Sequence, residues 1–108
     1  NKIANYFYKN AKANPIQKTL PMLFRFFSNL LLAYYAPDKS EHGLAAWLGL
    51  SDWQIRMTYI PAMKAYTGIK AMQAIRYIRE ADVKSKGGEG SNAGNTDLLR
   101  ELLFVILH

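Results

Sequence analysis

The feature that most constrains the fold of this chain is a long apolar stripe between residues 20 and 34. Large apolar side chains recur there at intervals of three and four residues, which is the spacing of one face of an α-helix. The stripe consists of Leu20, Leu23, Phe24, Phe27, Leu30, Leu31 and Tyr34, widened by Met22, Phe26 and Leu32. We therefore predict a helix from about Ile16 to Tyr35 that is the most buried element of the domain. Pro21 lies inside it and predicts a kink or a late helix start.

Helical spacing and capping residues also predict where the other helices begin and end. Residues 2–12 predict an amphipathic helix that ends near Asn14, because Asn14-Pro15 is a turn signal. Candidate N-cap residues then precede three further helices, since their hydroxyls can accept from the first turn. Ser40 precedes a short helix closed by Gly49. Ser51 precedes a helix that runs to about Tyr66, in which Pro61 predicts a second kink. Thr67 precedes a helix that runs to about Lys86.

The C-terminal part combines a loop with a last helix. Residues 86–96, KGGEGSNAGNT, contain four glycines and no large apolar side chain, so we predict a flexible loop there. A final apolar helix is expected from Asp97 to about His108, and Ile69, Met72, Ile75 and Ile78 are expected inside the helix before the loop. No segment alternates polar and apolar residues long enough to form a strand. The sequence predicts an all-α fold, a single compact bundle of about five to six helices spanning residues 1–108.

Composition excludes several classes of protein. The chain has a net charge of +6 and no cysteine, which excludes a disulfide framework and thiolate metal sites. No apolar run reaches the ~18 residues that a membrane span needs, and no secretory leader is visible. The basic balance favours contact with polyanions or with an acidic partner. The chain begins at Asn1 without an initiator Met, so we expect a piece of a longer protein that is cytoplasmic and makes no membrane contact.

Residues that could carry catalysis are scarce. The two histidines, His42 and His108, do not stand in a spacing that places two ligands on one helix face. The sequence GGEG at 87–90 lacks the preceding strand and the following Lys-Ser/Thr of a phosphate-binding loop. We therefore predict no catalytic residues, no metal site and no cofactor, and no independent enzymatic activity for this domain.

The segment from Leu44 to Ser51, LAAWLGLS, is typical of a helix-turn-helix: a short helix, a glycine turn and a Ser-capped second helix. In that interpretation Gln54 and Arg56 would reach base edges in the major groove. Plain packing of two short helices around a glycine turn fits the same pattern. A small helix-turn-helix regulatory domain that binds DNA is therefore an alternative function.

Basic residues concentrate on the helix expected from residue 68 to 86. Arg76, Arg79 and Lys86 fall within about half of its circumference, so they form either a solvated face or a contact surface for phosphate or for an acidic partner. Trp53 is likewise open to two interpretations. It is either a core or cap residue, or a stacking platform for an unpaired base.

Taken in order, these features resemble the C-terminal domain of the delta subunit of the bacterial DNA polymerase III clamp loader, in its Bacteroidetes-type form. The resemblance covers the whole chain. It is carried by the helix ending in Asn14-Pro15, by LFRFFSNLLL at 23–32, by LAAWLGLSDW at 44–53, by AIRYIREADVKSKG at 74–87 with its Asp82-to-Lys86 spacing, and by LLRELLFVILH at 98–108. The Gly/Asn-rich insert at 86–96 is the mark of the Bacteroidetes-type form.

The resemblance implies a function in DNA replication. In that family, upstream ATPase-like domains would contact the sliding clamp, and the helical domain would pack beside those of tau/gamma-type and delta-prime-type subunits in a collar. The holoenzyme is a DNA polymerase, but this domain would be an assembly module. Contact with primed template DNA would involve Trp53, Arg56, Arg76, Arg79 and Lys86. Apolar patches within 24–35 and 98–107 would form subunit interfaces through Phe24, Phe27, Leu31, Leu99 and Leu103.

Overall fold

The computed structural model describes residues 16–86 and 92–107, and within these ranges it contains five helices and no strand. The all-α prediction is confirmed. The helices are α1 (Ile16–Ala33), α2 (Glu41–Leu48), α3 (three consecutive segments, Asp52–Gln54, Ile55–Tyr59 and Ile60–Ala65), α4 (Gly68–Lys86) and α5 (Asn92–Leu107). The predicted helix over residues 2–12 and its end at Asn14 lie outside the described residues.

The predicted helix caps are confirmed. The Ser40 hydroxyl accepts from the backbone N–H of Gly43, and Gly49 closes α2 with a φ of 70°. Only glycine adopts that left-handed conformation without a steric cost, so the end of α2 is fixed by its sequence. Ser51 and Gln54 form a reciprocal capping box at the start of α3, and Thr67 Oγ1 accepts from the N–H of Lys70 at the start of α4.

Helix α1 is the centre of the core, as its apolar stripe predicts. Leu23, Phe27 and Leu30 have no solvent exposure. The Phe27 ring packs edge-on against Tyr66 at 5.6 Å, and Phe26 stacks on Tyr59 at 5.5 Å, so α1 holds the middle and the C-terminal end of α3. The described part of the helix starts at Ile16, and the helix ends at Ala33, two residues before the predicted end. The carbonyls of its last three residues accept from the N–H groups three residues later, those of Tyr34, Tyr35 and Ala36.

The buried face of α4 differs from the prediction. Ile78 is buried as expected and Ile75 is half-buried, but Ile69 and Met72 are 65% and 50% exposed, so placing these two inside was wrong. The buried positions are instead those of small residues, listed as Ala71, Ala74 and Ala81 together with Ile78. Helix α4 packs more extensively on α1 than on any other described helix. Because α1 and α5 both supply large side chains, three of the four buried positions of α4 hold alanine, and Ile69 and Met72 lie toward solvent.

Helix α3 contains a π-helical segment, Ile55–Tyr59, immediately before Pro61. The N–H of Ile60 bonds to the carbonyl of Ile55, five residues earlier, rather than to the usual fourth residue. A proline ring clashes with the carbonyl one turn before it and offers no N–H, and a wider turn relieves that contact. The predicted perturbation at Pro61 therefore takes the form of a π turn.

Helix α5 begins at Asn92, inside the segment predicted as a loop. The loop prediction for 86–96 is thus wrong over 92–96, which belong to α5, and at residue 86, which ends α4. Residues 87–91 lie outside the described residues. Five large apolar residues of α5 are buried, listed as Leu99, Leu102, Leu103, Ile106 and Leu107. Once these residues are packed, adding preceding residues to the helix costs little, and this overrides the weak helix propensity of glycine and asparagine.

None of the described helices is both long enough and apolar enough to cross a membrane.

Replacing Gly43 by alanine should destabilise the fold, because the backbone of Asp38 passes directly over Gly43. A Cβ atom built on Gly43 would lie within 3.0 Å of both the side chain and the backbone carbonyl of Asp38. We expect a loss of about 1–3 kcal/mol in the free energy of unfolding, measured by urea denaturation. Gly68→Ala is the matched control, since its Cβ would lie 3.8 Å from Tyr34, in ordinary contact. Equal stability of both variants would contradict this account of Gly43.

Replacing Tyr34 by phenylalanine tests the connection between the end of α1 and the end of α3. The Tyr34 hydroxyl shares its one proton between the carbonyl of Met63, at 2.8 Å, and the carbonyl of Tyr66. Without the hydroxyl these partly buried acceptors lose their donor, and we expect about 1 kcal/mol less stability in the same assay. Tyr35→Phe is the control, because Tyr35 is 69% exposed and its loss should be neutral.

Candidate functional site

A groove between α1 and α4 brings together several residues that the sequence singles out. It is lined by Leu20, Pro21 and Phe24 of α1 and by Ile78, Arg79, Asp82 and Lys86 of α4, and its volume is about 360 Å³. Leu20 and Ile78 are almost fully buried and form its floor, whereas the Phe24 ring is 39% exposed at its edge. Ile78 is the large side chain that α4 buries at this contact with α1.

Two cations at the rim of the groove are held differently. The guanidinium carbon of Arg79 lies 5.8 Å from the centre of the Phe24 ring, a cation–π contact that fixes the side chain over the groove. Lys86 Nζ lies 3.2 Å from a carboxylate oxygen of Asp82, one helical turn earlier. Among the described residues no carboxylate lies within ion-pair distance of Arg79. Arg79 is therefore held in place but retains its hydrogen-bonding capacity.

The remaining predicted contact residues lie elsewhere. Arg76 lies 3.6 Å from Glu80 on the exposed side of α4 and does not line the groove. Leu31 is half-buried, two turns along α1 from Phe24. Three of the five residues assigned to subunit interfaces, Phe27, Leu99 and Leu103, are 0–3% exposed in this chain's own core. That assignment is corrected, because side chains without accessible surface cannot contact a neighbouring subunit.

Trp53 is 65% exposed, so of the two interpretations of this residue the structure excludes a place in the core. Met57, one turn later on α3, is 53% exposed. Carboxylates lie close to this surface: Asp52 is the neighbour of Trp53, and the carboxylate of Glu41 binds Arg56. An exposed indole can stack on an apolar or aromatic group, and the Asp52 carboxylate next to it in the chain disfavours a phosphate at this position.

Arg56 and Gln54, the residues expected to read bases in a helix-turn-helix, are both engaged within the fold. Arg56 donates to both carboxylate oxygens of Glu41, with its Nε 3.1 Å from Oε2. Gln54 Oε1 accepts from the N–H of Ser51 at 3.2 Å in the capping box. Each would have to break these contacts before reaching a base edge.

A second surface, which the sequence located only to the range 98–107, follows the seam between α4 and α5. Tyr77 and Val105 line two shallow depressions along this seam, and they are 42% and 46% exposed. The depressions carry both acidic and basic side chains at their edges, among them Glu80, Lys84 and Glu101. The sequence indicated the range 98–107 because α5 is apolar on most sides, but that pattern does not distinguish core residues from surface residues.

In the described part of the chain, no three histidine or acidic side chains lie close enough together to hold a metal ion.

Replacing Arg56 by glutamine should raise the pKa of Glu41. The Arg56 guanidinium, which donates to the Glu41 carboxylate, holds the pKa of that carboxyl below its ordinary value. A lowered folded-state pKa means that the pair stabilises the fold above the unfolded-state pKa of about 4.3 and that this stabilisation is lost as pH falls through the lowered value. NMR titration of the Glu41 carboxyl carbon in Arg56→Gln should show the higher value. Arg76→Gln should leave it unchanged, and an equal shift in both variants would argue against the direct contact.

Comparison of the chain with protein-family models, with curated proteins and with solved structures finds no match in any of the three. The grooves and surfaces described above are thus interpreted from the residues of this chain itself.

Proposed function

We propose that this chain is a collar domain of a delta-type subunit of the bacterial DNA polymerase III clamp loader. Its role would be to assemble that subunit into the ring that places the sliding clamp on primed DNA. The proposal starts from the sequence resemblance, which covers the whole chain. The all-α fold is compatible with it.

The observation that carries the proposal is the exposed apolar surface at the α4–α5 seam. Tyr77 and Val105 each leave nearly half of their surface in solvent, although the core of the described residues is already filled by other side chains of the same two helices. Exposed apolar side chains along a helix seam are typical of surfaces that bury against another protein. We place the contact with a neighbouring tau/gamma-type or delta-prime-type subunit at this seam.

The alternative, a helix-turn-helix regulator, receives less support. It requires Gln54 and Arg56 to project from an open basic surface, whereas Arg56 is neutralised by Glu41 and Gln54 caps α3. Contact with primed DNA would be secondary in this domain, and of the predicted contact residues it would depend on the basic residues of α4 rather than on Arg56. Arg76 and Lys86 expose 80% and 76% of their side chains there.

Replacing Val105 by aspartate should prevent assembly. The chain is co-expressed with the tau/gamma-type and delta-prime-type ATPase subunits of the same source, and the complex is measured by co-purification and size-exclusion chromatography. A charge placed in a buried apolar contact should weaken binding at least about tenfold. Val83→Asp is the matched control: Val83 is 71% exposed on another side of α4, and this variant should assemble normally. Circular dichroism should show equal helix content for both.

Two outcomes would contradict the proposal. If Val105→Asp assembles as well as Val83→Asp, the α4–α5 seam is not the interface. The second outcome is that the unmodified chain does not bind the ATPase subunits but binds a duplex DNA probe, and that substitution of Arg56 abolishes this binding. The helix-turn-helix regulator would then be the better assignment.

A further inference from the structure

We infer that the α1–α4 groove is a docking site for an acidic segment of a partner protein. The segment would insert one large apolar side chain beside Phe24 and place a neighbouring carboxylate on Arg79. This inference does not depend on the assembly surface proposed above, because the groove lies between α1 and α4 and the seam lies between α4 and α5.

The floor and the volume of the groove fit a single large side chain. Leu20 and Ile78 close it from below, and the rings of Pro21 and Phe24 form the α1 side. Its volume of about 360 Å³ lies near the lower end of the range for small-ligand sites, roughly 300–1,000 Å³. An aromatic or leucine side chain fits such a space, whereas a helix from another domain would require a longer groove.

Arg79 supplies the polar half of the recognition. Its contact with the Phe24 ring holds the guanidinium at the edge of the apolar floor. A planar guanidinium binds a carboxylate through two parallel hydrogen bonds, and fixing the side chain in advance lowers the entropy cost of binding. The other groove cation, Lys86, is already paired with Asp82.

The charge of the surroundings favours an acidic peptide over a nucleic acid. Helix α4 carries five basic residues, Lys70, Arg76, Arg79, Lys84 and Lys86, against Glu80 and Asp82 as its only acids. This excess attracts an acidic segment. The floor of the groove, however, is apolar, and Asp82 lies in its lining. A phosphate backbone would leave the apolar floor unfilled, whereas an apolar side chain of a peptide covers it, so we commit to the peptide.

The test uses a short fluorescein-labelled peptide of aspartates around one phenylalanine, with binding measured by fluorescence anisotropy. Arg79→Gln should weaken binding at least about tenfold, because a charge-assisted hydrogen bond is lost. Arg79→Lys should recover only part of the affinity, because it retains the charge but not the planar fork. Arg76→Gln is the matched control, since Arg76 lies one turn earlier on α4 outside the groove, and it should bind nearly as the unmodified chain does.

Two further probes make the inference falsifiable. Replacing the phenylalanine of the peptide by serine should weaken binding, and the NMR methyl signals of Leu20 and Ile78 should shift on titration while those of Leu98 remain in place. The inference is overturned if the serine peptide binds equally well, if Arg76→Gln weakens binding as much as Arg79→Gln, or if Leu20 and Ile78 do not respond. It is also overturned if a single-stranded oligonucleotide displaces the peptide and itself depends on Arg79, because the groove would then be a nucleic-acid site.

Discussion

The packing of α1 against α4 is the interaction on which the rest of this structure depends. Helix α1 contributes Leu23, Phe27 and Leu30, which are fully buried, and the buried residues of α4 are Ile78 and three alanines, Ala71, Ala74 and Ala81. Large side chains on one helix and small ones on the other let the two backbones approach closely without voids. A large residue in place of Ala71 or Ala74 would force the helices apart and open the core.

This arrangement also determines what the surface carries. With alanines occupying the inner face of α4, the larger apolar residues of that helix are displaced outward, and Ile69, Met72 and Val83 are at least half exposed. On the flank of α4 that faces α1, the groove stays open with Phe24 and Arg79 at its edge. The features from which we infer binding are thus consequences of how the core is packed.

Much of the fold could be predicted from local sequence signals, because these act over only a few residues. Ser40, Gly49, Ser51 and Thr67 fix helix ends through contacts within one turn, and each was assigned correctly. The buried face of α4 could not be predicted, because both its isoleucines and its alanines recur at helical spacing. Only the shape of α1 decides which set is buried. The predicted start of α5 was wrong for a related reason, because packing of its later residues overrides local propensity.

The candidate site shows the same division between local and tertiary information. Sequence spacing placed Arg76, Arg79 and Lys86 on a common half of α4 but could not distinguish them, because their differences come from their partners. Arg76 faces Glu80 and Lys86 faces Asp82, whereas Arg79 lies over an aromatic ring supplied by α1. Burial likewise removed Phe27, Leu99 and Leu103 from the candidate interface.

The positions of Tyr77 and Arg79 on α4 bear on how the two proposed surfaces could work together. Successive residues of an α-helix are rotated by about 100°, so two residues that are two positions apart lie on opposite flanks of the helix. Tyr77 faces the seam with α5, and Arg79 faces the groove with α1. A subunit bound at the seam would therefore not cover the groove, and one domain could bind a neighbouring subunit and an acidic segment at the same time. Because both surfaces are built on one continuous helix, a partner that displaced α4 from α1 would alter both of them.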